Sequence, residues 1–179
     1  MEKVIHTIGH STHSAEEFVN LLRSCHISML VDVRRFPASR RYPHFNRDVL
    51  SKDLQEHGIE YTHMETLGGR RQPRPGSVNT GWRNNSFRAY ADYMETPDFQ
   101  NAVSTLEELA EKKSVAIMCS EAVWWSCHRS LVADYLKWKG WKVLHIMGEG
   151  KTQEHPYTSP ARPTPSRLSY AADGELPLT

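Results

Sequence analysis

The chain has 179 residues, which fits one domain and is long enough to bury a full core without a disulfide or metal. Lys and Arg total 22 against 21 Asp and Glu, so net charge alone excludes broad electrostatic binding to nucleic acid, though not a local basic site. Three cysteines without regular spacing exclude a secreted disulfide framework, and no apolar run is long enough to span a bilayer. With no secretory leader legible in MEKVIHTIGHS, the expected location is cytoplasmic, with reduced thiols.

Short β-rich runs alternate with helical periodicity, which predicts βα units and a largely parallel sheet. The first strand runs from Val4 to Ile8 and ends at Gly9. Ser14 caps the helix that follows, with Glu16 and Glu17 in its first turn and Phe18, Leu21, Leu22 and Cys25 on one face. The second strand is Met29 to Val33, followed by the loop RRFPASRRYPHFN. A helix starting at Asn46 or Asp48 turns Val49, Leu50 and Leu54 inward and stops at Gly58. The third strand lies near Glu60 to Met64. A Gly/Pro/Arg-rich loop from Leu67 to about Asn85 leads to a short aromatic helix over Phe87 to Met94. Thr96 and Pro97 open another helix with an apolar stripe of Phe99, Ala102, Val103, Leu106, Leu109 and Ala110. Val115 to Cys119 reads as a central parallel strand, Ser126 to Lys139 as a helix, and Lys142 to Met147 as the fifth strand. The expected fold is a single three-layer α/β domain over 1–147, a mostly parallel five-stranded sheet flanked by helices. Residues 148–179 carry five of the ten prolines and predict an irregular C-terminal arm.

In open α/β sheets ligands bind outside the carboxyl ends of the strands. The residues found there are His10, Ser11 and Thr12 after strand one, and Asp32, Arg34, Arg35 and Arg40 at the end of strand two. After strand three come Gly68, Gly69 and Arg70, and after strand four Cys119, Glu121, Trp124, Cys127, His128 and Arg129. A cysteine at a helix N-terminus tends toward thiolate, so Cys127 is a candidate nucleophile with His128 or His10 as base. Plain packing is the competing reading for Cys127, and the favoured one for Cys119. Glu121 is a candidate acid or base if its pocket is dry. Trp124 is a candidate stacking platform, or a shield for the sheet end. Arg34, Arg35, Arg40, Arg41, Arg70 and Arg129, with Ser11, Thr12 and Asp32, are candidate groups for holding a phosphate or carboxylate, or else members of solvated basic loops. The C-x7-C-H spacing matches no zinc pattern, and neither metal nor other cofactor is expected.

Together, TIGHST (7–12), LVDVRRFPASRR (30–41), GIEYTHMETLGGRR (58–71), FRAYADYM (87–94), IMCSEAVWWSCHRSLVADYL (117–136) and VLHIM (143–147) cover most of the chain. In these segments the sequence resembles the family called domain of unknown function 488. The resemblance implies a compact α/β fold with an enzymatic or nucleic-acid-related role. Its motif residues fall on His10, Ser11, Asp32, Arg34, Arg40, Cys119, Glu121, Cys127, His128 and Arg129. HPYT (155–158) also resembles the family and implies that the arm is docked on the domain.

Three functions fit these residues. The first is an enzyme, hydrolase- or glycosylase-like, acting on an anionic, nucleotide- or nucleic-acid-related substrate. The second is a non-catalytic binding module for nucleotides or nucleic acid, using the basic loops 34–41 and 70–74. The third is a thiol redox or metal site at Cys119 and Cys127.

Overall fold

The computed structural model describes residues 2–172. Its first half contains β1 (Val4–Gly9), α1 (Ala15–Ser24), β2 (Met29–Asp32), α2 (Arg47–Glu56) and β3 (Glu60–His63). Then come α3 (Asn85–Met94), α4 (Pro97–Lys112), β4 (Val115–Cys119), α5 (Arg129–Trp138) and β5 (Lys142–Gly148). The C-terminal part adds β6 (Lys151–Glu154), β7 (Arg162–Pro163) and β8 (Leu168–Ser169).

Local chemistry explains the helix starts. Ser14 and Glu17 form a reciprocal capping box on α1. Asn84 accepts from the amides of Ser86 and Phe87 at the start of α3, and Thr96 caps α4 ahead of Pro97. Asn46 precedes α2 without capping it; its side chain accepts from the Ser39 amide instead and ties down the arginine loop. Val49 is exposed rather than inward, and Leu50 and Leu54 alone anchor α2.

The sheet has six strands in the order β3-β2-β4-β1-β5-β6, all parallel except β6. The expected count of five omitted β6, which folds back on β5 through a tight turn with Gly150 at φ +65°. Residues 151–154 therefore belong to the sheet and not to an irregular arm, and β7 and β8 form a separate two-stranded ribbon. Strand alternation splits the core in two. On β4, Ala116 and Met118 join Phe18, Leu22, Leu50 and Leu54 under α1 and α2. Val115, Ile117 and Cys119 join Tyr90, Phe99, Leu106 and Leu131 under α3, α4 and α5. The result is three layers, helices on both faces of a mostly parallel sheet.

This topology positions the site. β1 and β4 are neighbours, yet β1 leaves through α1 toward β2 on one face while β4 leaves through α5 toward β5 on the other. Connections that diverge from adjacent strands open a crevice at their carboxyl ends.

Candidate active site

A cleft of about 790 Å³ occupies that crevice. The ends of β1 and β4 stay laced beyond the last ladder pair: the His10 amide donates to the Cys119 carbonyl (2.9 Å) and the Ser11 amide to the Ser120 carbonyl (3.0 Å). Gly9 permits this approach, because a Cβ there would collide with the Glu121 carbonyl. The paired glycines of the 68–69 loop have a similar use. A side chain at Gly68 would strike the Arg35 backbone, and one at Gly69 would crowd the His128 ring. Two non-glycine residues of the cleft, Ser11 (φ +48°) and Arg70 (φ +57°), hold left-handed backbone, a costly conformation that gathers at functional sites.

The floor of the cleft is a thiol pair. Cys119 at the end of β4 and Cys127 just before α5 are both buried, and their sulfurs lie 2.8 Å apart. Cys127 donates to Cys119 and itself accepts from the Arg129 amide (3.2 Å). Burial would raise the Cys119 thiol, but the bond from Cys127, the Arg129 guanidinium and a backbone contact at Glu121 outweigh it and bring the pKa down to about 7. Burial and the facing Cys119 sulfur push Cys127 well up. The helix-terminus argument for a Cys127 thiolate is thus corrected. Residues 124–126 form a short 3-10 turn, Cys127 is extended, and α5 begins only at Arg129, so of the two sulfurs Cys119 is the one whose thiolate is favoured.

Arg129 is held by a buried relay that ends on a carboxylate. Its Nη1 donates to the Thr7 hydroxyl (3.1 Å) and its Nη2 to the Glu121 carbonyl (3.2 Å). The Thr7 hydroxyl meets His145 Nδ1 (2.5 Å), His145 Nε2 meets His155 Nδ1 (2.8 Å), and His155 Nε2 meets Asp134 Oδ1 (2.8 Å). A carboxylate only accepts, so His155 carries its proton on Nε2, His145 on Nε2 in turn, and Thr7 donates to His145 while accepting from Arg129. Burial, with His155 and Arg129 nearby, pushes His145 down to about 2. Asp134 also accepts from the Thr158 amide and hydroxyl and from the Tyr170 hydroxyl, so the chain after β6 is bolted to the relay.

The cleft walls are basic. Arg34, Arg35, Arg41 and Arg70 line it together with His10, and Glu121 is the one carboxylate among the lining residues. Arg34 is already committed: Asp32 receives its Nε (2.9 Å) and Nη2 (2.7 Å), and Tyr61 donates a further bond to Asp32. Only Arg34 Nη1 is left without a partner. By contrast, Arg35, Arg41 and Arg70 have no carboxylate partner among the described residues. The Phe36 ring is 60% exposed and lies within cation–π reach of both Arg35 (5.8 Å) and Arg70 (5.5 Å).

His10 is stacked on Phe45 at 4.3 Å, and its Nδ1–H donates to the Ser11 carbonyl (2.9 Å), which leaves Nε2 as an acceptor. Burial is the main cause that takes His10 down to about 4, so it is a neutral base at pH 7. His128 is also pulled down to about 4 by burial, but Nε2 is bonded to the Val33 carbonyl and the ring is wedged against Tyr90 and Gly69. It holds the ends of β2 and α5 together.

The structure therefore brings together most of the residues named from the sequence. His10, Ser11, Thr12, Arg34, Arg35, Arg70, Cys119, Glu121, Cys127 and His128 all line one cleft. Arg129 lies behind it, almost wholly buried. Asp32 is spent on Arg34 and Tyr61, and Arg40 is not among the lining residues. Trp124 is elsewhere: it stacks on His145 (4.8 Å, 5°) and donates to Gln153 on β6. Glu121 is exposed, so the dry pocket that would make it a tuned acid is absent around it. Phe36 was not singled out although it sits in the same loop, whereas Arg41, named from the sequence, lines the cleft. Thr7, Asp134, His145 and His155 also escaped notice, yet a histidine inside the apolar run VLHIM was the available signal.

Fold and site thus define an open-sheet α/β protein with a basic, thiol-floored cleft at its topological switch point. A family model described as Domain of unknown function DUF488 matches residues 14–136, more than half of the chain, and the chain belongs to that family. Neither a curated protein nor a solved structure matches significantly. The matched span takes in both cysteines and the arginine loop, while His10, Ser11, His145 and His155 lie outside it.

Proposed function

We propose that this protein is an enzyme cleaving a glycosidic or ester bond in a small, phosphate-bearing, nucleotide-related substrate. The observation that carries this reading is that Arg35, Arg41 and Arg70, around the floor where the strand ends meet, have no carboxylate partner among the described residues. Guanidinium groups without carboxylate partners are ready to take phosphate oxygens in bidentate fashion. Phe36 offers an exposed flat face beside them for a base. A volume of about 790 Å³ suits a small ligand or a single nucleotide better than a duplex.

In this reading His10 Nε2 accepts a proton from the attacking water. Burial keeps the ring neutral, so it is competent as a base throughout the physiological range. The Glu121 carboxylate stands in the cleft wall to stabilise positive charge developing on a sugar carbon. Arg129 acts from behind: its guanidinium holds the Glu121 carbonyl and its backbone amide holds the Cys127 sulfur. Free thiols fit a reducing compartment, and this reading places the protein in the cytoplasm.

The test is turnover by the full chain against nucleosides, nucleoside mono- and diphosphates and short oligonucleotides, with products followed by chromatography. One phosphorylated class should be cleaved. His10→Gln and Glu121→Gln should each lower kcat by about 100-fold or more while leaving KM nearly unchanged. Absence of both turnover and binding across the panel contradicts the proposal.

A further inference from the structure

The thiol pair supports an activity of its own. We propose that Cys119 and Cys127 form a reversible dithiol–disulfide couple that reacts with peroxide entering the cleft, Cys119 being the attacking sulfur and Cys127 the resolving one. This does not rest on the substrate reading above, since the couple would operate whatever else the cleft binds.

Three observations carry it. Non-bonded heavy atoms ordinarily sit about 3.5–4.0 Å apart, and these sulfurs are at 2.8 Å, so two side chains from separate elements already meet sulfur to sulfur. Both residues line the cleft, the side from which a small oxidant would approach, with 2% of Cys119 and 8% of Cys127 exposed. The two thiols are also unlike. Cys119 is stabilised as thiolate by Arg129 and by the bond from Cys127, while Cys127 keeps its proton. That division of labour is what an attacking and a resolving cysteine require. Cys25 is remote from the pair, lies beside Ser24 at the end of α1, and provides an internal control.

The chemistry balances. The Cys119 thiolate attacks one peroxide oxygen; an S–O bond forms, the O–O bond breaks, and hydroxide leaves to take up a proton as water. Cys119 is thereby oxidised by two electrons to a sulfenic acid. The Cys127 sulfur then attacks the Cys119 sulfur; the S–S bond forms, the S–O bond breaks, and a second water leaves with the Cys127 proton. An external dithiol then reduces the Cys119–Cys127 disulfide by two thiol–disulfide exchanges, returning both protein thiols and leaving itself oxidised to a disulfide. Oxidation removes the negative charge from the cleft floor and ties the end of β4 to the start of α5.

The experiment is differential alkylation of the full chain, read by peptide mass spectrometry before and after hydrogen peroxide and after dithiothreitol. The expected result is joint loss of alkylation at Cys119 and Cys127, recovery of one peptide pair linked through them, retention of alkylation at Cys25, and full reversal by the dithiol. In Cys127→Ser, dimedone should trap a sulfenic acid on Cys119. Continued alkylation of both residues after peroxide overturns the proposal. So does preferential oxidation of Cys25, or passage of wild-type Cys119 directly to sulfinic acid. The wild-type measurement decides the matter even where a cysteine variant folds poorly.

Discussion

Arg129 and Arg70 stand on opposite sides of one cleft and are treated in opposite ways. Arg129 is buried behind the floor, and its charge is answered through Thr7, His145 and His155 by the Asp134 carboxylate. Arg70 sits on the wall in strained backbone with an aromatic ring and no carboxylate. A buried cation held by a hydrogen-bond chain, even with its Nε unpartnered, serves the fold; under the proposed function, an exposed cation with no carboxylate partner is free to take an anion. The difference separates what builds the site from what the site binds.

The largest test of that contrast is to cut the relay at its far end. Asp134→Ala removes the acceptor for His155, Thr158 and Tyr170 at once. It should cost about 3–5 kcal/mol, the usual effect of breaking a buried charged network, and lower the melting temperature by roughly 10 °C for a domain of this size. Denaturant melts check this; a loss under about 1 kcal/mol would mean that the network is not what secures the chain after β6.

Arg70→Ala and Arg35→Ala should do the reverse. Stability should change by no more than about 0.5 kcal/mol, while affinity for a nucleoside monophosphate should fall about 10-fold or more per arginine. Calorimetric titration alongside a thermal melt reads both, and a variant that loses stability but not affinity would move that arginine to the structural side.

A smaller effect comes from pH. His10 and His128 are lowered to about 4 and His145 to about 2, below the ordinary value of 6.5. Unfolded chains would take up protons on these rings between about pH 6.5 and 4 while the native state would not. Their contribution is therefore fully present above about pH 6.5 and is lost as the pH falls. The melting temperature should drop by roughly 5 °C or more between pH 7 and 5, and His10→Phe should blunt the drop. A flat profile would show that the rings are charged or solvated in the native protein.

How much of this was legible in the sequence follows the same division. The apolar strands and capped helices were readable because periodicity and caps are local signals; Ser14, Thr96 and the run Val115–Cys119 are where they were expected. β6 was not, because KTQE is exposed throughout and carries no apolar alternation to mark it as a strand. The cleft was partly readable, since strand-end residues must gather at a switch point. The relay was not: His145 and His155 acquire their meaning only when β5 and the segment after β6 bring them to Asp134. Trp124 shows the converse, because its neighbours Cys119, Glu121 and Cys127 reach the cleft while a 3-10 turn carries its own ring to the far side, onto His145.

Under the proposed function, the cleft at the carboxyl ends of β1, β2 and β4 binds a phosphate-bearing nucleotide. The direct measurement is a backbone amide NMR titration of the full chain with adenosine monophosphate, against inorganic phosphate and adenosine alone. The account predicts shifts at Ser11, Arg35, Phe36, Arg70 and Ser120, largest for the nucleotide, with phosphate moving the arginine loops but not Phe36. Shifts confined to the groove between α1 and α2, or none at all at millimolar ligand, would contradict it.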